Sequence, residues 1–312
     1  MATPIVSVVI PNFNHGPYLV QRIESVLDQT FQDIEVILLD DCSTDKSREL
    51  LEQFRSHPKV REVVYNSHNS GSAFKQWQKG LTLSNGEWIW FAESDDYADL
   101  QFLEKMINAI GDQEGIGLAY CDSRIVEGDK LTHEVFREIK NKRFQTERWS
   151  STYRNSGGKE IEDYLLPGGT INNSSAVLFN RKIFQQVNPF DLNLNYIGDK
   201  YAFIKVLSVS DVLYVPEALN FYRNPFRSLS HKRFIYYFYE QFLIFDWVLR
   251  NLKISDTKSF YRGFHENTKD SIFTGWTKTK FRLYLSLLRT NPALLLRSIS
   301  TNTIQNFLNR IS

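Results

Sequence analysis

The feature that most constrains this chain is a series of short apolar runs in its first third, each closed by a turn or an acidic pair and separated from the next by a helical pattern. Ile5 to Ile10 is β-branched and ends at Pro11, and Ile34 to Leu39 ends in Asp40-Asp41. Val60 to Tyr65 is a third run, and Glu87 to Ala92 leads straight into Glu93-Ser94-Asp95-Asp96. Between them, Pro17 to Asp28 puts Leu19, Ile23, Val26 and Leu27 on one helical face, a helix capped by Ser43 or Thr44 reaches Phe54, and Ser72 to Leu83 forms a third. Strands of this kind with helical crossovers make an open, doubly wound, mainly parallel sheet, in which ligands bind beyond the carboxyl ends of the strands.

Beyond Asp99 the pattern continues with a helix to Ile110 and a strand over Ile116 to Cys121. Residues 122–170 read as polar loops with short helices, Ser175 to Phe179 as a strand and Gly198 to Val209 as a helix, with extended pieces through Tyr222. From Lys232 on the pattern is helical, and this region carries an excess of basic residues among many Phe, Tyr and Leu, whereas residues 1–230 carry an excess of acidic ones. The expected division is a domain over 1–230, with halves at about 1–121 and 122–230, followed by a helical extension over 231–312.

A chain of 312 residues, 42% hydrophobic and 23% charged, excludes disorder and a small disulfide scaffold. Cys42 and Cys121, far apart, offer neither a CxxC site nor a disulfide framework, and a reducing, cytoplasmic home is the simplest expectation. No stretch reaches the roughly 18 apolar residues of a membrane span, so the chain is expected to be soluble or to lie on the inner face of the cell membrane. The basic C-terminal segments divide evenly between interfacial helices on anionic lipid and a packed helical subdomain. Nucleic acid is not an expected partner, since no recognition motif accompanies the charge.

Two adjacent carboxylates at a strand end raise each other's pKa unless a cation offsets them, so Asp95-Asp96 points to a divalent metal with oxygen ligands, Mg²⁺ or Mn²⁺. Taken alone, the pair fits a solvated turn better. A second doublet, Asp40-Asp41, at the end of another strand of the same sheet gives it weight, because a carboxylate there can accept from a ribose hydroxyl or a base N–H.

Four segments, Val6 to Asn14, Ser25 to Thr30, Leu39 to Asp45 and Asn85 to Asp96, closely resemble glycosyltransferase family 2 in order and spacing. That resemblance implies a GT-A fold and an inverting transfer from a nucleotide-diphosphate sugar, with Mn²⁺ or Mg²⁺ as cofactor. It puts Pro11, Asn12 and Asn14 in the first nucleotide-contacting loop, Asp40 with Asp41 at the base or ribose, and Ser94 and Asp95 by the ribose or donor sugar. It makes Asp96 the metal ligand, and the run Tyr196 to Phe203 resembles the helix start carrying the catalytic base, here Asp199. As a plain sequence feature Asp199 also fits a helix N-cap.

Lys75 stands in the stretch where many relatives carry an arginine near the nucleotide, and a lysine lacks the fork-shaped donor. His231 is a candidate for the histidine that in relatives touches the metal, though an ordinary surface histidine fits better. The stretch Gly168 to Ser175 resembles the acceptor-side loop, and a plain turn explains its glycines equally. Trp77, Trp88 and Trp90 read as core, and His15, His57, His68 and His133 have no metal-ligand spacing. The expected partners are a nucleotide-sugar donor and a glycan or lipid-linked acceptor in surface polysaccharide synthesis. The rivals are a degenerate glycan-binding or scaffold protein of the same fold, and a nucleotidyltransferase, which would favour a glycine-rich loop where Asn12-Phe13-Asn14-His15 stands.

Overall fold

The computed structural model describes residues 3–128, 130–224, 231–257, 260–261, 263–264 and 285–298, without the side chains of 224, 231–235 and 296–298. The chain forms two compact units, one of Met1–Gly158 with Ile171–Phe226 and one of Lys159–Thr170 with Arg227–Ser312.

The first unit is built on the expected alternation: β1 (Val6–Asn12), α1 (Gly16–Leu27), β2 (Ile34–Asp40), α2 (Ser47–Phe54), β3 (Val60–Tyr65), α3 (Ala73–Leu83) and β4 (Trp88–Phe91). Strands β1, β2 and β4 are buried along their whole length, as continuous apolar runs between two helical layers must be. They lie parallel in the order β3-β2-β1-β4. The chain leaves β1 to one side for β2 and returns to its other side for β4, which opens a crevice at the carboxyl end of β1. Register fixes what meets there, since Asn12 lies beside Asp40 and Val9 beside Phe91.

Beyond β4 come β5 (Tyr97–Ala98), α4 (Phe102–Ile110), β6 (Ile116–Glu127), β7 (Lys130–Val135), α5 (Phe136–Phe144), β8 (Tyr153–Ser156), β9 (Val177–Asn180) and β10 (Asp211–Asn224), with helices at Arg181–Val187 and Gly198–Leu207. Antiparallel β9 joins β4 to β6, and β10 runs parallel to β6, completing a mainly parallel GT-A type sheet. Trp77, Trp88 and Trp90 are core residues, with Trp77 stacked on Phe91 at 4.2 Å and Trp90 on Phe102 at 4.4 Å.

Two local expectations change. Neither Ser43 nor Thr44 caps α2, which starts at Ser47. Ser43 Oγ instead accepts from Asn14 N and Asn12 Nδ2, and Asp45 accepts from Gly16 N and Ser47 N, so these side chains tie the β1 and β2 loops together. Residues 122–144, expected as loops with short helices, extend β6, turn through Gly128 into β7 and form α5. Two polar members of the segment lie inside: Asp122 accepts from Arg137 N and lies 4.0 Å from the Lys140 ammonium, which sits 4.9 to 5.5 Å from the rings of Tyr214, Tyr120 and Trp149.

In the second unit, helix His231–Asn251 buries Phe238, Phe242, Phe245 and Val248, and Phe245 meets the rings of Phe260 and Phe264. No helix among the described residues is long and apolar enough to cross a membrane.

Helix α3 lies close on β1 because Gly80 has no side chain: a Cβ there would stand 2.4 Å from Val9 Cγ1. Gly80→Ala should cost about 1–3 kcal/mol, and Val9→Ala should relieve part of that cost in the double variant. Strictly additive losses in denaturant titrations would contradict this contact.

Burial pushes the Asp122 carboxyl from 3.8 up to about 6, against the pull of Lys140. The folded protein thus holds a proton across this window that the unfolded chain has released, and the resulting stabilisation is full below the unfolded value and lost as pH rises through the folded one. Wild type should therefore lose stability relative to Asp122→Asn between about pH 4 and pH 6 and hold level above it. Urea titrations in half-unit pH steps check this, and parallel curves for both proteins would refute it.

Candidate active site

The carboxyl ends of β1 and β2 are joined by a hydrogen-bonded lock. Asp40, 0% exposed, accepts at Oδ1 from Asn12 Nδ2 (3.1 Å) and at Oδ2 from Ser43 N (3.0 Å) and Arg48 Nε (3.3 Å). Asn14 has a left-handed φ of 56°, and its Oδ1 accepts from Thr44 N (2.8 Å) and Asp45 N (3.3 Å). Asp40 and Asn14, expected to face a nucleotide, hold the two loops together.

Asp41 is the member of its pair that reaches a cavity. Its carboxylate accepts from Ser70 N, Ser70 Oγ (2.7 Å), Asn66 Nδ2 (2.7 Å) and Gln76 Nε2 (2.9 Å), which folds residues 66–76 into a wall. The cavity, of about 330 Å³, is lined among others by Pro11, Asn12, His15, Asp41, Glu93 and Ser94. The structure so brings four of the expected residues, Pro11, Asn12, Asp41 and Ser94, to one surface. Lys75 lies on a neighbouring cavity of about 260 Å³ with Phe74 and Gly198, and its Nζ donates to Ser70 O.

Next to this wall lies a crowd of carboxylates. Asp96, 3% exposed, accepts from Arg223 N (2.9 Å) and from the Ser175 hydroxyl, which in turn accepts from Glu93 N. Glu93 accepts from Trp77 Nε1 at 2.7 Å. Burial, with the Asp95 charge next, pushes Glu93 up to about 8 and Asp96 up to about 7. Asp199, in the first turn of helix Gly198–Leu207, adds to the rise at Glu93 and at Tyr222, whose phenol burial and the charges of Asp96, Asp95 and Asp199 push up to about 12. Asp95, Asp96 and Asp199 therefore all lie within electrostatic reach of Glu93 and Tyr222. Asp199 Oδ1 accepts from Lys200 N, and the cap position of its helix belongs to Ile197.

Positive charge reaches this cluster twice. Arg223, stacked between the rings of Tyr18 (4.6 Å) and Tyr97 (5.0 Å), donates from Nη1 to Asp95 O. Arg22 donates from Nε to Glu93 O. The side chain of His231 lies outside the described residues.

Sequence reasoning passed over His15, Glu93, Arg22, Arg223 and Gln76. His15 Nδ1 lies 2.9 Å from Ser94 Oγ, a contact that no metal-ligand spacing announces. Arg22 was detectable: it stands three residues after Leu19 and four before Val26, on the apolar face of α1.

The sequence profile of glycosyl transferase family 2 matches residues 7–187, more than half of the chain. The putative teichuronic acid biosynthesis glycosyltransferase TuaG of Bacillus subtilis is 38% identical over 104 residues, 33% of this chain and 41% of that protein. The matches to the first curated relatives span about a third to a half of those proteins' own length. Among solved structures, Staphylococcus aureus TarS 1–349 in complex with UDP has a TM-score of 0.66 at 17% identity, covering 91% of this chain and 79% of that one. The mannosyltransferase PcManGT of Pyrobaculum calidifontis, in complex with GDP-Man and Mn²⁺, has a TM-score of 0.60 at 15% identity, covering 95% and 74%. With the strand-end motifs, the sheet order and the profile in agreement, the chain belongs to glycosyl transferase family 2.

Proposed function

We propose that the protein is an inverting glycosyltransferase that moves a sugar from a nucleoside-diphosphate sugar to a hydroxyl of a glycan or lipid-linked acceptor in surface polysaccharide synthesis, with Mn²⁺ or Mg²⁺ as cofactor. The observation that carries it is the meeting of a nucleotide-sized cavity with a cluster of carboxylates at the strand ends where such folds bind ligands. The naming of TuaG for teichuronic acid biosynthesis, and the UDP and GDP-Man held by TarS and PcManGT, support the same reading.

In this reading the nucleotide lies against Pro11, Asn12 and Asp41, with His15 and Ser94 toward the ribose and diphosphate. Asp40 and Asn14 act from below, by fixing the loops that present Asn12 and Asp41. Lys75, on the adjoining cavity, serves the phosphate or sugar end. The buried carboxylates, raised by burial and by one another, form an oxygen donor set suited to a hard divalent cation. Among the described residues no group of three or more His, Cys, Asp or Glu side chains could hold a metal by itself. Asp95 and Asp96 would hold it, and when bound it offsets the charge of the departing diphosphate. One Asp96 oxygen already accepts from Arg223 N, which leaves the more exposed Asp95 as the readier donor.

Asp199 is the base. Its carboxylate takes the proton of the acceptor hydroxyl as that oxygen attacks the anomeric carbon from the face opposite the leaving group, and a single displacement inverts the centre. Catalysis belongs to the first unit. The second unit spends the apolar side of helix His231–Asn251 on its own core, which favours the packed subdomain over a lipid-lying helix.

A thermal-shift panel of UDP, GDP, dTDP and CMP, each with and without Mn²⁺ or Mg²⁺, should show a cation-dependent rise with one nucleotide, because a ligand of the folded state raises its apparent stability. No shift with any of them would favour the glycan-binding or scaffold reading.

Asp199→Asn should keep that shift and lower the transfer rate by about a hundredfold to ten-thousandfold. Unchanged turnover would remove Asp199 from the base role.

A further inference from the structure

Helix α1 packs on the sheet through Leu19, Ile23 and Val26, and Arg22 sits among them with 0% of its surface exposed. Only Nε is bonded, to Glu93 O at 2.8 Å, and the guanidinium lies 5.6 Å from the centre of the Trp90 ring. Its Nη1 and Nη2 are buried without a hydrogen-bond partner. A guanidinium so poorly bonded is costly to bury unless fixed negative charge offsets it. That charge comes from Asp96 above all, then from Asp95 and Glu93. Among the described residues no carboxylate oxygen comes within 4.0 Å of an Arg22 nitrogen, so the attraction acts across a gap and leaves the carboxylates' lone pairs unclaimed by this residue. Arg223 also meets this pair, its backbone N–H on Asp96 and its guanidinium on Asp95 O.

We infer that Arg22 is a positioning residue, a built-in cation behind Asp95 and Asp96 that weakens their hold on a free divalent ion and makes cation binding depend on the diphosphate of the donor. The inference rests on the reading of that pair as the cation site. Two fixed positive charges lie close to Asp95 and Asp96, so less net negative charge remains at this pair to draw a divalent ion out of water. A diphosphate supplies what is missing, and the ion is held firmly only when both are present. Like charges interact strongly across such a gap because the guanidinium is buried away from water. Arg22 touches neither substrate nor ion, and its influence passes through Asp96.

The test titrates Mn²⁺ into the full-length protein and follows free Mn²⁺ by electron paramagnetic resonance, alone and then with UDP or GDP. Wild type, Arg22→Met and Arg22→Lys are compared, with Arg22→Gln as a second neutral variant that keeps a donor for the Glu93 carbonyl. The neutral variants should bind Mn²⁺ alone about tenfold tighter or more, a factor equivalent to ~1.4 kcal/mol of removed repulsion, and the nucleotide should enhance their affinity less than it does in wild type. Arg22→Lys should track wild type, which loss of packing alone would not produce. Equal Mn²⁺ affinity in wild type and a folded neutral variant overturns the inference and leaves the cation site standing. Absence of Mn²⁺ binding in every protein, with or without nucleotide, overturns the cation site and the inference together.

Discussion

Carboxylates crowded together on partly and fully buried positions beside a cavity are the constraint on which the rest of this structure depends. Glu93, Asp95 and Asp96 follow the end of β4, Asp199 lies within electrostatic reach of Glu93, and burial together with the neighbouring charge makes Glu93 and Asp96 harder to ionise. The fold meets this with side chains drawn from distant parts of the chain: Arg22 from the first helix, Trp77 from the third, Ser175 from the approach to β9 and Arg223 from the end of the long strand β10. Sheet order makes the convergence possible, since β9 and β10 bring residues near 175 and 223 to a cluster whose own segment ends at residue 96.

A second level of support holds the nucleotide side. Asp40 is deeply buried and ionically paired, which is expensive unless its oxygens are bonded, and Asn12, Ser43 and Arg48 supply the donors. The return is rigidity at the two strand ends whose loops form the cavity wall. Asp41 repeats the device one residue later and organises the segment from Asn66 to Gln76.

Much of this was legible in the sequence, for a physical reason: continuous apolar runs have few alternatives to buried parallel strands, and β1, β2 and β4 appear where Ile5 to Ile10, Ile34 to Leu39 and Glu87 to Ala92 suggested. The acidic doublets were legible as strand-end features, but their orientation was not. Whether Asp40 or Asp41 faces the cavity depends on the strand's exit and on partners some thirty residues away, such as Ser70 and Asn12. Residues 122–144 misled because a polar segment can also form an exposed strand and helix, as β7 does, while its buried members Asp122 and Lys140 lie 4.0 Å apart beside a group of aromatic rings. Ser43 misled in the same way, as a good capping residue engaged by a loop far away in sequence.

The bond from the Trp77 indole to Glu93 reaches beyond its part in holding the acidic segment. One of six tryptophans in the chain, Trp77 is stacked on Phe91, buried, and hydrogen-bonded through its ring nitrogen to a carboxyl on the cavity wall. The excited indole shifts electron density across its ring, so its emission responds to whether that neighbour carries a charge. The protein therefore contains its own optical probe of the acidic cluster, positioned by the packing of α3 and requiring no attached label.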